Sequence, residues 1–241
     1  SSQDLTINKE ITHMLRQLSL GAGQREINNL REYLSLIKLG VNSRRLVGDR
    51  DSSVLIYKHL FDSLYPLTIM RLEHGPVLDL GTGAGLPGVP LKIFLPEIPF
   101  YLLDSNRRKI NFVKHVSERL KLENIYFLTG RAEELACSTR YREKFRYVFS
   151  RAVAKAQILA EMALPFAAKG GQVVLYKGPA GKTEILQAQT TLQVCGGQVT
   201  DIRPYVLPTG EQRLIIFIDK LTSTPSHYPR RGKQAKKPIH R

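Results

Sequence analysis

The chain has 241 residues, 42% of them hydrophobic, and its 36 lysines and arginines outweigh 21 acids to leave a formal net charge of +15. That size and composition fit one sizeable α/β domain with an extension and exclude a fibrous protein, and no apolar run approaches the roughly 20 residues of a membrane helix. The charge favours a polyanionic partner, and Ser1-Ser2-Gln3-Asp4 lacks the basic and apolar regions of an export signal, so a cytoplasmic protein that binds no membrane is expected.

Residues 1–70 carry helical periodicity. Leu15, Leu18 and Leu20, then Ile27, Leu30, Leu34 and Ile37, recur at three- and four-residue steps, Gly40 ends the second helix, and Asp51-Ser52-Ser53 caps a third holding Leu55, Ile56, His59, Leu60 and Leu64. They predict a helical extension or lid. His59 and Asp62 lie one helical turn apart, as a hydrogen-bonded pair facing the following domain or as a buried structural pair joining the extension to it.

From Val77 the pattern changes. Strands are predicted near Val77-Leu80, Phe100-Leu103, Ile125-Leu128, Tyr147-Phe149 and Val173-Tyr176, separated by helical segments, of which 111–122 is the clearest. Alternating strands and helices imply βαβ units and a doubly wound parallel sheet. Segments 199–206 and 213–218 around Pro208-Thr209-Gly210 read as a terminal β-hairpin, which bounds the α/β domain at residues 71–220. Residues 221–241 form a tail whose last twenty positions hold six basic residues, Arg230, Arg231, Lys233, Lys236, Lys237 and Arg241, and no acid. A basic terminus alone is as readily a solvated tail as a binding segment; Arg44-Arg45 and Arg107-Arg108-Lys109 shift the balance towards nucleic acid.

The first strand runs into Gly81-Thr82-Gly83-Ala84-Gly85-Leu86-Pro87-Gly88, a glycine-rich strand-to-helix turn where backbone can approach a ligand closely. Gly83, Gly85 and Gly88 also satisfy the dinucleotide template, so spacing alone leaves the ligand open. Asp79 is an acid inside the strand, where a carboxylate can receive a ligand ammonium group. Asp104 ends the second strand, 19 residues after Gly85, and reads as an acceptor for ribose hydroxyls or as part of a helix N-cap. Gly130-Arg131-Ala132-Glu133-Glu134 follows the third strand, where an adenine pocket would lie, although Glu133 also suits a helix's first turn. Arg151 follows the fourth strand at the ligand-binding edge of the sheet, a placement that favours a site role over a structural salt bridge. Gly178-Pro179-Ala180-Gly181-Lys182-Thr183 resembles a phosphate loop but has two residues between its glycines instead of four, which excludes ATP binding of that kind; Lys177 and Lys182 remain candidates for phosphate contacts. Cys137 and Cys195 are far apart, the six histidines are scattered, and no metal site is expected.

Together these residues resemble the bacterial glucose-inhibited division protein B family, methyltransferases that modify guanine N7 in small-subunit ribosomal RNA. The resemblance rests on His59-x-x-Asp62-Ser63-Leu64, Leu78 to Gly88, Leu102-Leu103-Asp104-Ser105, Arg131-Ala132-Glu133-Glu134, Ser150-Arg151-Ala152 and Tyr228-Pro229-Arg230-Arg231. It implies a class I S-adenosylmethionine-dependent methyltransferase with a Rossmann-like sheet, whose cofactor contacts fall on Gly81, Leu86, Asp104, Ala132, Glu133 and Arg151, beside Asp79 and Gly83 from the turn. It further implies 16S ribosomal RNA or the small subunit as partner, with Lys177, Lys182, Arg230 and Arg231 on the RNA, Arg151 as the catalytic candidate orienting the acceptor, and a monomer. The chain departs from the family at Gly40-Val41 and Arg45-Leu46-Val47, where Trp-Asn and Asn-Leu-Thr are common. Guanine N7 offers a lone pair, so no general base is required and alignment suffices; a nicotinamide-dependent dehydrogenase and a non-catalytic RNA-binding or ribosome assembly factor are the competing readings.

Overall fold

The computed structural model describes residues 1–40 and 51–240; Arg44-Arg45 and the departures at Val41 and at Arg45 to Val47 lie outside them. Seven strands, β1 Val77–Leu80, β2 Phe100–Asp104, β3 Ile125–Thr129, β4 Phe145–Ser150, β5 Ala167–Lys177, β6 Gly197–Val206 and β7 Gln212–Lys220, form one sheet in the order β3-β2-β1-β4-β5-β7-β6. The first five are parallel, and β7 is inserted antiparallel between β5 and β6. The predicted hairpin is therefore β6 and β7, and its second strand is the one that joins the parallel sheet.

Strands apolar at successive positions feed two cores, as a sheet covered on both faces requires. Val77, Leu102, Phe149, Val174 and Phe217 face one cluster, while Leu78, Leu103, Val148, Val173 and Ile216 face the other. Helices α1 (Ser2–Gln17), α2 (Gln24–Leu39), α4 (Gly88–Phe94) and α5 (Arg107–Leu120) supply the first core. On the opposite face lie α6 (Ala132–Leu135), α7 (Ala156–Ala163), α8 (Gly181–Gln187) and α9 (Gln189–Val194). Each fully buried Leu, Ile or Phe in these layers contributes about 2 kcal/mol.

The N-terminal helices share the first core: Ile11, Met14, Leu30 and Tyr33 are wholly buried in the same cluster as Val77 and Phe100. Segment α3 is α-helical over Ser52–Val54, π-helical over Leu55–Leu60 and α-helical again over Phe61–Leu64, with Asp51 accepting a hydrogen bond from Ser53 N as its N-cap. The wide π turn is not legible from the apolar spacing, which a regular helix satisfies equally well; such turns recur at functional sites, and this one carries His59 into the arginine network described below.

The segment after β7 is tied to the domain. The Arg142 guanidinium donates to the carbonyls of Ala136, Tyr228, Thr224 and Pro225 at 2.9 to 3.0 Å, and Thr224 Oγ1 donates to Cys195 O at 2.6 Å. One guanidinium thus satisfies three tail carbonyls, besides that of Ala136, that an unattached tail would leave to water.

Candidate cofactor and methyl-transfer site

The glycine turn after β1 is held from three sides. Gly81, Gly83 and Gly85 have φ of 76°, 56° and 102°, a region that glycine enters without the steric penalty of a Cβ. The N–H groups of Gly81 and Thr82 donate to Leu103 O, and the buried Tyr33 hydroxyl of α2 donates to Ala84 O at 2.8 Å, so the N-terminal extension buttresses the turn. Nothing lies within 4 Å of where a Cβ on Gly83 would stand, which leaves that backbone open to a ligand.

Asp79 ties the turn to α4. Its Oδ2 accepts from Thr82 Oγ1 at 2.7 Å and from Gly88 N at 2.8 Å, while its Oδ1 is buried with no hydrogen-bond partner among the described residues. Burial pushes this carboxyl up to about 7, against the hydrogen bonds from Thr82 and Gly88 and the charge of Arg151, which pull it down. The folded protein holds this proton more tightly than the unfolded chain does. Asp79 therefore favours the fold most below its ordinary value of 3.8, and that contribution is lost as pH rises to about 7. Replacing it by the neutral isostere in Asp79→Asn should make the ligand-free protein's melting temperature higher than wild type at about pH 8 and flatten its change between about pH 5 and pH 8. Melts at several pH values check this; an unaltered pH profile would show that another group is responsible.

Asp104 bridges the turn and the next helix: Oδ2 accepts from Gly83 N and Oδ1 from Asn106 N, both at 2.9 Å. The N-cap of α5 is Asn106, whose Oδ1 accepts from Arg108 N and Lys109 N. Capping is thus done two residues on, and each Asp104 oxygen retains a lone pair at the rim of the cleft.

Beside this rim lies a cleft of about 810 Å³, formed by the C-terminal ends of β1 to β4. Among the predicted cofactor residues Gly81, Gly83, Asp104, Ala132 and Glu133 line it; Asp79, Leu86 and Arg151 do not. Sequence reasoning missed Lys109 and Ser105 beside Asp104, and Val153, Leu159 and Met162 on the β4 side. Ser105 and Lys109 were findable by their nearness to Asp104. Leu159 and Met162 carry no such sign, since both read as ordinary core positions of α7. The wall from β2 and β3 is rich in charge, with Asp104, Lys109, Arg131 and Glu133, whereas the β4 wall presents Ala152, Val153, Leu159 and Met162.

Arg151 closes the β4 edge from behind. Its Nε lies 3.0 Å from Asp62 Oδ2, Nη1 donates to Ser63 Oγ at 3.2 Å and Nη2 meets His59 Nδ1 at 3.3 Å. Asp62 is 1% exposed, and it also receives Arg213 and the Tyr205 hydroxyl. His59 and Asp62 converge on Arg151 from α3, and the network pins the extension to β4, β6 and β7.

The predicted RNA residues are unequal. Lys182 and Arg231 are exposed. Lys177 Nζ is held by Ala154 O at 2.6 Å and Glu184 at 2.9 Å, and Arg230 by the buried Glu161 at 2.8 Å. Among the described residues, no group of three or more His, Cys, Asp or Glu side chains is placed to hold a metal ion, and no helix is long and apolar enough to cross a membrane.

An open parallel sheet with an antiparallel seventh strand, bearing a glycine turn and a strand-end acid beside a cleft, defines a class I S-adenosylmethionine-dependent methyltransferase; a dinucleotide-binding sheet has the order 3-2-1-4-5-6 instead. The open Gly83 backbone, the unpartnered Asp79 oxygen and the rim carboxylate of Asp104 fit the cofactor of that class, with its cationic amino-acid end and its ribose. Solved structures share the fold: M. jannaschii TYW2 in complex with AdoMet superimposes with a TM-score of 0.54 over 68% of this chain and 77% of that one at 13% identity. TrmN from Thermus thermophilus does so with 0.53 over 69% and 53% at 17% identity. The chain belongs to the family described as rRNA small subunit methyltransferase G, whose model matches residues 26–215. The Ribosomal RNA small subunit methyltransferase G of Leuconostoc mesenteroides is 34% identical over 96% of this chain and 99% of its own, and that of Alkaliphilus oremlandii is 40% identical over 89% and 91%. The chain is thus an S-adenosylmethionine-dependent methyltransferase of small-subunit ribosomal RNA, and the dehydrogenase and non-catalytic readings are not favoured.

Proposed function

We propose that the acceptor atom is N7 of a guanine in 16S ribosomal RNA, methylated without a general base by a single chain in the cytoplasm, where ribosomes are assembled. The observation that carries this reading is the contrast between the cleft's two walls: ionisable groups gather on the β2 and β3 side, and the β4 side offers an apolar surface on which Val153 stands fully exposed. A lone-pair nucleophile needs contact and alignment there, not proton removal.

S-adenosylmethionine supplies, when bound, a methyl group on a sulfonium centre. Asp104 would accept hydrogen bonds from the ribose hydroxyls, Gly81 and Gly83 would let the ligand approach the backbone closely, and Asp79 holds its unpartnered oxygen behind the turn. Ala132 and Glu133 border the adenine, and Leu86 packs under the turn. Val153 and Ala152 meet the acceptor base, which must leave a deep, narrow A-form major groove to expose N7. Arg151 acts as a positioning residue: through Asp62, Ser63 and His59 it fixes the segment that carries Ala152 and Val153. Exposed Lys182 and Arg231 take RNA phosphates, while Lys177 and Arg230 hold the backbone around them.

A 16S transcript made with 7-deazaguanine throughout keeps phosphates and stacking but lacks the N7 lone pair. It should bind about as well as the ordinary transcript and accept no methyl group; label appearing on it at the ordinary rate would move the reaction to another atom.

A further inference from the structure

A second pocket, of about 290 Å³, lies outside the cofactor cleft and shares Arg131, Glu133 and Met162 with it. Its outer wall is the chain's C-terminal strap, where a 3₁₀ turn spans Gly232–Lys236. The strap is clamped into a closed loop by one side chain. Arg230 donates from its backbone N and Nε to the two oxygens of Glu161, which is 2% exposed, and from Nη2 to Lys237 O at 2.7 Å. Both ends of the segment that bears Lys233 and Lys236 are thereby fixed to α7, and the pocket is formed before any ligand arrives.

Inside, Ile158 and Met162, one helical turn apart on α7, face the strap with Ala235. At the rim stand the cations Arg131, Lys233 and Lys236. An apolar slot with a cationic rim matches the two halves of a nucleotide, a base with a flat apolar face and a phosphate. The chain's charge of +15 gives the complementarity that selects a polyanion. Glu133, on the wall common to both pockets, adds an acceptor for a base amino group.

We propose that this pocket is a subsite for an unpaired RNA nucleotide near the methylated one: the base enters between α7 and the strap, and Lys233 and Lys236 hold its phosphates. The proposal rests on the RNA-methylating reading of the adjoining cleft. The strap is then part of the substrate site, and its clamp presets the path of the RNA past the cofactor.

The test compares wild type, Ala235→Asp, which places a carboxylate in the slot, and the double variant Lys233→Ala with Lys236→Ala, which leaves the Arg230 clamp intact. Deletion of residues 222–241 is the wrong variant, because it strips the Arg142 partners. Affinity for a 16S transcript is measured against salt, and affinity for S-adenosylmethionine alone is measured by calorimetry. Ala235→Asp should weaken RNA binding about tenfold, and the double variant should lower the salt slope by about 0.7 for each lysine. S-adenosylmethionine binding should be unchanged in both. Unchanged RNA affinity and slope overturn the proposal. So does weakened S-adenosylmethionine binding with RNA binding intact, which would make the pocket an annex of the cofactor cleft. If Ala235→Asp melts far below wild type, the double variant decides alone. Failure of methyl transfer to guanine N7 would leave these binding results standing, so the two readings fail separately.

Discussion

Asp104→Ala should lower S-adenosylmethionine affinity about a hundredfold or more while leaving the fold largely intact. The carboxylate is the only charged acceptor that the β2 strand end offers to a ribose diol, and hydrogen bonds to a charged group contribute about 1.5–3 kcal/mol each; two of them exceed a hundredfold in affinity at about 1.4 kcal/mol per factor of ten. The same substitution removes the acceptor of the Gly83 N–H, so the turn that the ligand lies against loosens at the same time. Stability changes less, because Asp104 is half-buried and helix α5 keeps its own cap in Asn106. Calorimetric titration with a parallel thermal melt separates the two effects. A variant that binds the cofactor as wild type does would remove Asp104 from the site.

Gly88→Ala should produce a much larger loss of stability than Gly83→Ala in the same turn. A Cβ at this position would stand 2.2 Å from Leu102 Cδ2 and 2.7 Å from Asp79 Oδ2, closer than atoms pack in any core. The relief must come from β2 or from Asp79, and moving Asp79 breaks its bonds to Thr82 and Gly88 in a buried place. Overpacking of this kind costs about 3 kcal/mol, or roughly 10 °C in melting temperature for a domain of this size. Gly83→Ala meets no neighbour, and its strain is confined to a backbone at φ 56°. A melting temperature for Gly88→Ala within about 2 °C of wild type would contradict the packing described for the turn.

The sheet was legible because its strands are apolar at successive positions and their order is constrained by βαβ crossovers. Asp104 was legible as a residue of the cleft because it ends the strand next to the glycine turn. The Arg151 network was not: Asp62, Arg151 and Arg213 come from three distant segments, and nothing local in any of them marks its partner. The sequence placed Arg151 at the correct sheet edge but could not tell a residue that meets the ligand from one that fixes the wall behind it. The tail shows the same limit. Its charge was visible, yet its course depends on Glu161, an acid of α7 that is buried against Arg230 and that nothing in the local sequence ties to the tail. Val153, fully exposed at the mouth of the cleft, was likewise not singled out by the sequence, where a lone valine after a strand carries no mark of its place.

The central claim, methyl transfer to guanine N7 of small-subunit ribosomal RNA, is tested most directly with labelled S-adenosylmethionine and small ribosomal subunits from cells lacking this activity. After digestion, the account predicts label in 7-methylguanosine and in no other nucleoside. Label in a different nucleoside, or none in a protein that binds the cofactor, would contradict it.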